Sequence, residues 1–236
     1  MHNNSVKIIS TRIGYSNAIL IANGINSVIV DTGVKGYFNH FKTIFKQHGL
    51  QPGDIKLIVL THVHYDHTGN LKKLVKYTGA KVLVHKNEFA NLKKGFVQIP
   101  KGQGKYSRLI SKFGRAIVPG FASPKPFAAD LINEDEFDLN EYGIDGKIIS
   151  TPGHTLGSQS VLIGKQLISG DTFINMKNGK IFPPFANEPK ILLETWQHLF
   201  NLGIEKIYPG HGNSLQVDEV LPEFEKWRNR LIKNIN

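Results

Sequence analysis

Four side chains of types that commonly bind metals lie within six consecutive residues, and this cluster constrains the fold more than any other feature. Its members are His62, His64, Asp66 and His67. The cluster follows an apolar run at residues 55–60, which has the length and composition of a buried strand. A polar surface loop is the alternative interpretation, but a buried strand also buries its own end. Because burying three imidazoles and a carboxylate without a metal is costly, the cluster predicts a metal site.

The spacing inside the cluster indicates two metal positions. Residues two apart on an extended backbone point the same way, so His62 and His64 can converge on one ion. Asp66 and His67 fall at the turn into the next helical pattern and can face a second ion. The chain has no cysteine, so imidazole and carboxylate groups must hold any metal. We therefore expect two divalent ions, with zinc favoured and iron or manganese as alternatives.

Three further candidate ligands stand beside glycines, each after a strand-like run. They are His154, Asp171 and His211, which follow Gly153, Gly170 and Gly210. Glycine suits places where the backbone must approach a crowded site closely. Any one of these residues alone would be read as a hydrogen-bonded structural residue. Together with the first cluster they predict one site assembled from distant parts of the chain.

Strand-like runs alternate with helical patterns through both halves of the chain. Apolar residues recur at helical spacing in residues 38–48, 71–77, 191–202 and 220–232. Short Ile- and Val-rich runs of strand length lie between these patterns. Two similar halves of this kind predict an α/β fold in which two sheets pack face to face with helices outside. We expect one domain across residues 1–236, with a basic insertion at about 93–128.

The positive charge of the chain is concentrated in that insertion. The formal net charge is +10, and eight basic residues fall between positions 89 and 129, where Asp and Glu are absent. They are Lys93, Lys94, Lys101, Lys105, Arg108, Lys112, Arg115 and Lys125. Aromatic residues, Tyr106 among them, stand between these cations. The pattern predicts a lid that favours an anionic or amphipathic small-molecule substrate; a nucleic-acid contact, which is less expected, and a solvated surface are the alternatives.

Apolar residues after Asp171 are candidates for substrate contact, as is Tyr106. They are Phe173, Ile174 and Phe182, and the alternative interpretation places such residues in the core. No apolar run approaches the ~18 residues of a membrane helix, so we expect no membrane span. The first residues lack the basic start and apolar centre of a secretory signal, which favours a cytoplasmic location. Nothing in the sequence indicates an oligomeric state.

The order of these motifs resembles that of the metallo-β-lactamase superfamily. A His-x-His-x-Asp-His motif is followed by Gly-His, Gly-Asp and finally Gly-His-Gly. The resemblance implies a four-layer αββα sandwich with the site at one edge. It also implies a ligand set, in which His62, His64 and His154 hold one metal, Asp66, His67 and His211 hold the other, and Asp171 bridges them. Asp31 is expected to support the metal loop by hydrogen bonding, the alternative being a turn residue before Gly33.

The resemblance implies a hydrolase in which hydroxide activated by two metals attacks a small ester, thioester or lactone. Asp66 would hold the hydroxide and carry its proton. Asp171 argues against the antibiotic-hydrolysing branch of the superfamily. His64 argues against the flavodiiron branch. The remaining group is similar to glyoxalase II, lactonases and phosphodiesterases. Acyl-homoserine lactonases carry tyrosine where this chain has Ile174. The alternatives are a phosphodiesterase or nuclease and a mononuclear iron dioxygenase of the persulfide type.

Overall fold

The structure is a computed structural model that describes residues 6–96, 102–103, 109, 124–176 and 179–233. Of residues 231–233 it describes only the backbone. Within these ranges the chain forms two six-stranded sheets and five α-helices. The first sheet comprises β1 (Lys7–Ile13), β2 (Ser16–Ala22), β3 (Ser27–Val30), β4 (Ile55–Val59), β5 (Lys81–His85) and β6 (Leu131–Asn133). The second comprises β7 (Glu136–Asp138), β8 (Lys147–Ser150), β9 (Gln159–Ile163), β10 (Gln166–Gly170), β11 (Lys206–Pro209) and β12 (Leu215–Gln216). The helices are α1 (Asn39–Gln47), α2 (Leu71–Thr78), α3 (Lys86–Lys94), α4 (Pro189–Asn201) and α5 (Val217–Lys233).

Strand direction brings several strand ends to the same edge. In the first sheet β1, β2 and β3 pair antiparallel, and β3 to β6 pair parallel. In the second sheet β8, β9 and β10 pair antiparallel in turn, and β10 pairs parallel with β11. The strands β8, β10 and β11 therefore run in one direction, and their carboxyl ends meet. Loops that leave such ends can contribute side chains to a common site.

Apolar side chains alternate between the two faces of each sheet, as the pleat requires. On β4, Leu57 and Val59 join a buried cluster that also contains Val161 and Ile168 of the second sheet. This cluster fills the space between the sheets. Ile58, which points the other way, belongs to the cluster formed with α1 and α2. The first sheet therefore has one face on the second sheet and the other on helices.

The outer face of the second sheet is covered by α4 and α5. Leu167 of β10 and Ile207 of β11 pack in one cluster with Trp196 of α4 and Phe224 of α5. Trp196 is fully buried and is among the largest such side chains in the described chain. The layers are thus helix, sheet, sheet and helix, which confirms the predicted αββα sandwich.

All four helical patterns correspond to observed helices, with ends that differ by up to three residues. The short strands β6, β7 and β12 and the helix α3 were not predicted. Most of the expected basic insertion, including Tyr106, lies outside the described residues. Across the described part of the chain, no helix is both long and apolar enough to cross a membrane.

Candidate metal centre

The seven predicted ligands gather at the edge of the molecule where strands of both sheets end. The loop after β4 carries His62, His64, Asp66 and His67, and the ends of β8, β10 and β11 lead to His154, Asp171 and His211. Their potential ligand atoms form overlapping sets whose members all lie within 4.8 Å of one another. Two sheets therefore contribute to one site. No sequence segment could build this site alone.

One part of the site is the three-histidine group, made of His62, His64 and His154, which are all buried. The Nδ1 atom of His64 lies 2.8 Å from Nε2 of His62 and 3.1 Å from Nε2 of His154. Three imidazole nitrogens that converge on one point form the set that a divalent transition metal takes in hydrolytic sites.

The other part is the mixed group, made of Asp66, His67 and His211. Oδ2 of Asp66 lies 3.4 Å from Nε2 of His211 and 4.0 Å from Nε2 of His67. Asp171 stands between the two groups. Its Oδ1 lies 3.3 Å from His67 Nε2 and 3.4 Å from His211 Nε2, and its Oδ2 lies 3.7 Å from His154 Nε2. One carboxylate oxygen therefore faces each group.

Backbone carbonyls fix the tautomer of two of the histidines. Nδ1 of His154 lies 2.8 Å from the carbonyl oxygen of Phe185, and Nδ1 of His211 lies 2.9 Å from that of Tyr15. Because a carbonyl oxygen can only accept, each Nδ1 must carry the hydrogen. The Nε2 lone pair of each neutral ring is then directed into the site, as metal ligation requires.

Asp31 fixes two more rings. Its Oδ2 accepts hydrogen bonds from His67 Nδ1 and from the Thr61 hydroxyl, both at 2.7 Å, and its Oδ1 accepts from the Thr61 backbone amide at 2.8 Å. Since the Thr61 hydroxyl donates to Asp31, its oxygen accepts from His62 Nδ1 at 3.1 Å. Asp31 also has a φ of 61°, the only positive φ of a non-glycine residue in the described ranges. Backbone strain of this kind persists where surrounding contacts impose it, often at functional sites.

Two buried atoms of the site have unused hydrogen-bonding capacity. His67 Nε2 and Asp171 Oδ1 have no hydrogen-bond partner among the described residues, and the 3.3 Å between them does not meet hydrogen-bond geometry. Buried polar atoms are rarely left in this state. Gly210 keeps the space beside them open, because a Cβ there would come within 2.3 Å of Asp171 Oδ1. Once the Nε2 proton of His67 is released, this nitrogen and the Asp171 oxygen fit a cation between them.

The three-histidine group favours neutral rings. Burial lowers the pKa of His62 well below its ordinary value, and the nearby His67 and His64 lower it further. Burial also lowers the pKa of His154, although the charge of Asp171 opposes this effect. Neutral imidazole is the form that binds metals. This group is therefore ready to ligate at neutral pH.

The mixed group holds protons instead. Burial lowers the pKa of His67, but the carboxylates of Asp171, Asp31 and Asp66 raise it by more, so it lies well above its ordinary value. Burial raises the pKa of Asp171, but the charges of His211 and His67 lower it to well below its ordinary value. A metal that binds here must therefore displace protons.

Glu88 of α3 joins two of the ligand-bearing loops, and sequence reasoning did not find it. Its carboxylate accepts from the backbone amide of Val63, with a donor–acceptor distance of 3.3 Å, and is also hydrogen-bonded to Thr155, which follows His154. Burial raises its pKa, although these hydrogen bonds oppose the effect. No spacing or motif marks Glu88, since its partners are distant in sequence.

A cavity of about 340 Å³ opens beside His64. The described residues that line it are mostly polar, with some apolar surface from Val63 and Leu156. They include Glu88 and Glu188 and neither Lys nor Arg. A cavity of this size is in the range of sites for small molecules.

The apolar residues after Asp171 do not line this cavity. Phe173 is fully buried and stacks on Trp196, with ring centroids 4.4 Å apart. Phe182 stacks on Trp227 at 4.0 Å, and Ile174 is 2% exposed. The structure therefore places these predicted substrate contacts in the interior. Aromatic side chains of α4 and α5 pack on Phe173 and Phe182. Tyr106 lies outside the described residues.

Comparison with known proteins settles the family. The sequence matches the family model of the metallo-beta-lactamase superfamily over residues 11–211, a range that contains all seven candidate ligands. The chain belongs to the metallo-beta-lactamase superfamily. It is 31% identical over 204 residues to a probable metallo-hydrolase of Methanocaldococcus jannaschii, which covers 84% of this chain and 89% of that protein.

Two further similar proteins have names that mention a chemistry or a metal. The chain is 27% identical over 140 residues to a hydroxyacylglutathione hydrolase of Shewanella pealeana, which covers 59% of this chain and 41% of that enzyme. The crystal structure of TTHA1623 in a di-iron-bound form matches with a TM-score of 0.64 and 25% identity, over 92% of this chain and 97% of the other. The resemblance inferred from the motifs is thus confirmed at the level of the superfamily.

Proposed function

We propose that this protein is a hydrolase that uses two divalent metal ions to cleave a small ester, thioester or lactone. The single observation that carries the proposal is the position of Asp171, with one carboxylate oxygen toward each group of ligands. Two metals sharing a carboxylate are typical of hydrolytic dinuclear sites. The hydroxyacylglutathione hydrolase among the relatives supports an acyl substrate.

The three-histidine group would hold one ion and the mixed group the other, with Asp171 bridging. When bound, such a pair lowers the pKa of a shared water toward neutrality and polarises a carbonyl group. The donor set of nitrogen and oxygen atoms suits zinc, and it also suits iron or manganese. The di-iron form of TTHA1623 supports iron as the alternative.

The protein's own residues would orient the reactants. Asp66 is the carboxylate that can accept the proton of the attacking water and return it to the leaving atom, since it lies beside the mixed group and keeps a second oxygen. Asp31 keeps the rings of His62 and His67 in place through the hydrogen bonds described above. Pre-set geometry of this kind avoids reorganisation during the reaction.

The cavity beside His64 would receive the acyl part of the substrate. Most of the described residues that line the cavity are uncharged and polar, which favours a polar acyl group. The basic insertion expected at about 93–128 would act on an anionic part of the substrate.

A metal analysis followed by a panel of substrates tests the proposal. We expect about two metal ions per chain and turnover of thioesters, lactones or aryl esters. Turnover of bis-p-nitrophenyl phosphate alone would make the protein a phosphodiesterase. One iron per chain with oxygen consumption on a persulfide would make it a dioxygenase. Either result overturns the proposed function.

The variant Asp171→Ala provides the matched test of the bridge. We expect it to lose one or both metals and to lower turnover by roughly 100-fold or more. The control is Asp218→Asn, which changes an exposed carboxylate at the start of α5. Full turnover by Asp171→Ala on any substrate of the unmodified protein would contradict the bridging role.

A further inference from the structure

Two tyrosines form a hydrogen-bonded pair at the rim of the metal centre. Tyr15 lies in the turn between β1 and β2, and Tyr65 lies between His64 and Asp66 in the metal loop. The Tyr15 hydroxyl donates to the Tyr65 hydroxyl oxygen, and the two oxygens are 2.5 Å apart. Both side chains stay partly exposed, at 45% and 37%. The pair is therefore accessible to a molecule that enters the site.

The pair lies on the side of the mixed group. The backbone carbonyl of Tyr15 holds His211, and its ring lies nearly parallel to the His211 ring, with the centroids 6.3 Å apart. The rings of Tyr15 and Tyr65 meet edge to face, with their centroids 6.3 Å apart, and Asp66 of the mixed group directly follows Tyr65 in the chain. The pair therefore flanks the mixed group.

The hydrogen bonds of the pair leave one donor available. The hydrogen of Tyr15 is used on the oxygen of Tyr65, and Tyr65 donates to no other group among the described residues. A hydroxyl that accepts one hydrogen bond becomes a stronger donor of the next, because the bonds polarise one another. Tyr65 therefore presents at the rim an O–H group that has no acceptor among the described residues.

The position of the cavity indicates which part of a substrate the two tyrosines would contact. The cavity is lined by His64 of the three-histidine group, whereas the tyrosines lie beside His211 of the mixed group. An acyl group in the cavity would leave the other half of the substrate on the side of the tyrosines. In ester or thioester cleavage that half carries the leaving oxygen or sulfur, on which negative charge develops.

We propose that Tyr65, supported by Tyr15, donates a hydrogen bond to the leaving atom of the substrate, an inference that rests on the proposed acyl hydrolysis. Tyr65 would then be a catalytic residue, and Tyr15 a positioning residue that holds both Tyr65 and His211. The hydrogen bond would matter most for leaving groups that are poor, since these carry the most charge in the transition state.

Tyrosine-to-phenylalanine variants and a series of acetate esters test this assignment. We expect Tyr65→Phe to keep its metals and to lower kcat/KM for an alkyl ester by roughly 10-fold or more, with a much smaller loss for the 4-nitrophenyl ester. Tyr15→Phe should show the same trend more weakly. The matched control is Tyr77→Phe, which removes a hydroxyl from a ring that stacks on Phe45, on the helix α2. An equal loss for all leaving groups, or no loss, overturns the proposal.

A binding measurement keeps the test independent of turnover. The probe is 4-nitrophenolate added to the metal-loaded protein, because its visible absorption band shifts when its oxygen accepts a hydrogen bond. We expect a shift with the unmodified protein that is reduced in Tyr65→Phe and unchanged in Tyr77→Phe. Identical spectra for all three proteins overturn the role of Tyr65. Absence of turnover on every ester, thioester and lactone of the panel would instead overturn the proposed function.

Discussion

At the scale of single residues, the site depends on the side chains that hydrogen-bond to the candidate ligands as much as on the candidate ligands themselves. Asp31 occupies a strained left-handed backbone conformation and accepts three hydrogen bonds, two of them from Thr61. Its third donor is His67, whose other nitrogen faces the site. The strain is tolerated because these contacts hold Asp31 from several directions.

Replacing Asp31 tests this support. In Asp31→Asn the amide cannot accept from all three donors, so His67 would lose its fixed orientation. We expect metal affinity of the mixed group to fall by roughly 10- to 100-fold, as is usual for such supporting carboxylates. Isothermal titration of the metal-free protein measures this change. Unchanged affinity for both metals would contradict the role assigned to Asp31.

The buried carboxyl group of Glu88 leads to a prediction about how stability depends on pH. Burial raises its pKa above the ordinary value of 4.5, so its contribution to stability is complete below pH 4.5 and is lost as pH rises through the raised pKa. The variant Glu88→Gln mimics the protonated form. Its stability relative to the unmodified protein should therefore increase from pH 4 to pH 7.

Urea unfolding at several pH values, with a chelator present, measures the difference between the two proteins. The control is Glu134→Gln, which alters an exposed carboxylate and should show no such trend. A difference in the free energy of unfolding that stays constant between pH 4 and pH 7 would argue against a raised pKa for Glu88.

The candidate ligands could be found from the sequence, but the residues that support them could not. His62 and His64 were recognisable because two-residue spacing on a strand end is a local property of the chain. The contacts of Tyr15 with His211 and of Glu88 with Thr155 join segments that lie far apart. Such contacts depend on the packed sheets, which a single sequence does not specify in detail. Tyr65 stood inside the motif, so its position was a signal that went unused.

At the scale of secondary-structure elements, α4 positions the segment after Asp171. The indole Nε1 of Trp196 donates to the carbonyl oxygen of Thr172 at 2.7 Å, and its ring packs on Phe173. Trp196 is fully buried. The packing of α4 therefore fixes the position of the backbone next to Asp171, a predicted metal ligand.

The variant Trp196→Phe tests the link between this helix and the site. It leaves the Thr172 carbonyl without its donor and opens a small cavity, so we expect a loss of about 2 kcal/mol in the free energy of unfolding. Circular dichroism in urea measures that loss. Trp227→Phe, on the partly buried face of α5, should cost less. Trp227 also donates a hydrogen bond, to Glu223 at 2.9 Å, but that bond is only partly buried. Equal costs for both variants would show that burial of the Trp196 hydrogen bond adds little.

Helices were easier to predict than short strands. The pattern at 71–77 gave α2 because Leu71 and Leu74 repeat at helical spacing and face the core. The strands β6 and β7 have three residues each, too few to show an alternation. The helix α3 was missed because its buried residues are few and include the polar Glu88. Weak amphipathic patterns of this kind are resolved only by tertiary packing.

At the scale of the whole molecule, bound metals would tie the two sheets together. The loop after β4 belongs to the first sheet, and the other ligands follow strands of the second sheet. A metal ion that binds only the folded state stabilises that state, and the gain in free energy grows with the logarithm of the metal concentration. Metal removal should therefore lower the melting temperature as well as the activity.

A chelator experiment measures this stabilisation. With free metal at about 1,000 times its Kd, the gain is about 4 kcal/mol, which corresponds to roughly 10 °C for a chain of this size. The variant Asp171→Ala, which lacks the bridge, should respond much less. If a chelator left the melting temperature of the unmodified protein unchanged, the seven residues would not form a tight metal site.

The layered architecture was predictable because two halves with similar alternation must bury two sheets against each other. The substrate was not, because the residues expected to contact it are either in the interior, as are Phe173 and Phe182, or outside the described ranges, as is Tyr106. The lid at 93–128, the single domain and the cytoplasmic location stay predictions.

The division of the ligands between the sheets has a consequence for biosynthesis. A growing polypeptide on the ribosome exposes His62 to His67 long before it exposes His211, which lies some 140 positions later. An early capture of metal by the nascent first half would involve an incomplete set of donors and hence weak binding. We therefore expect tight metal loading only after translation has passed β11, when all seven candidate ligands have been synthesised.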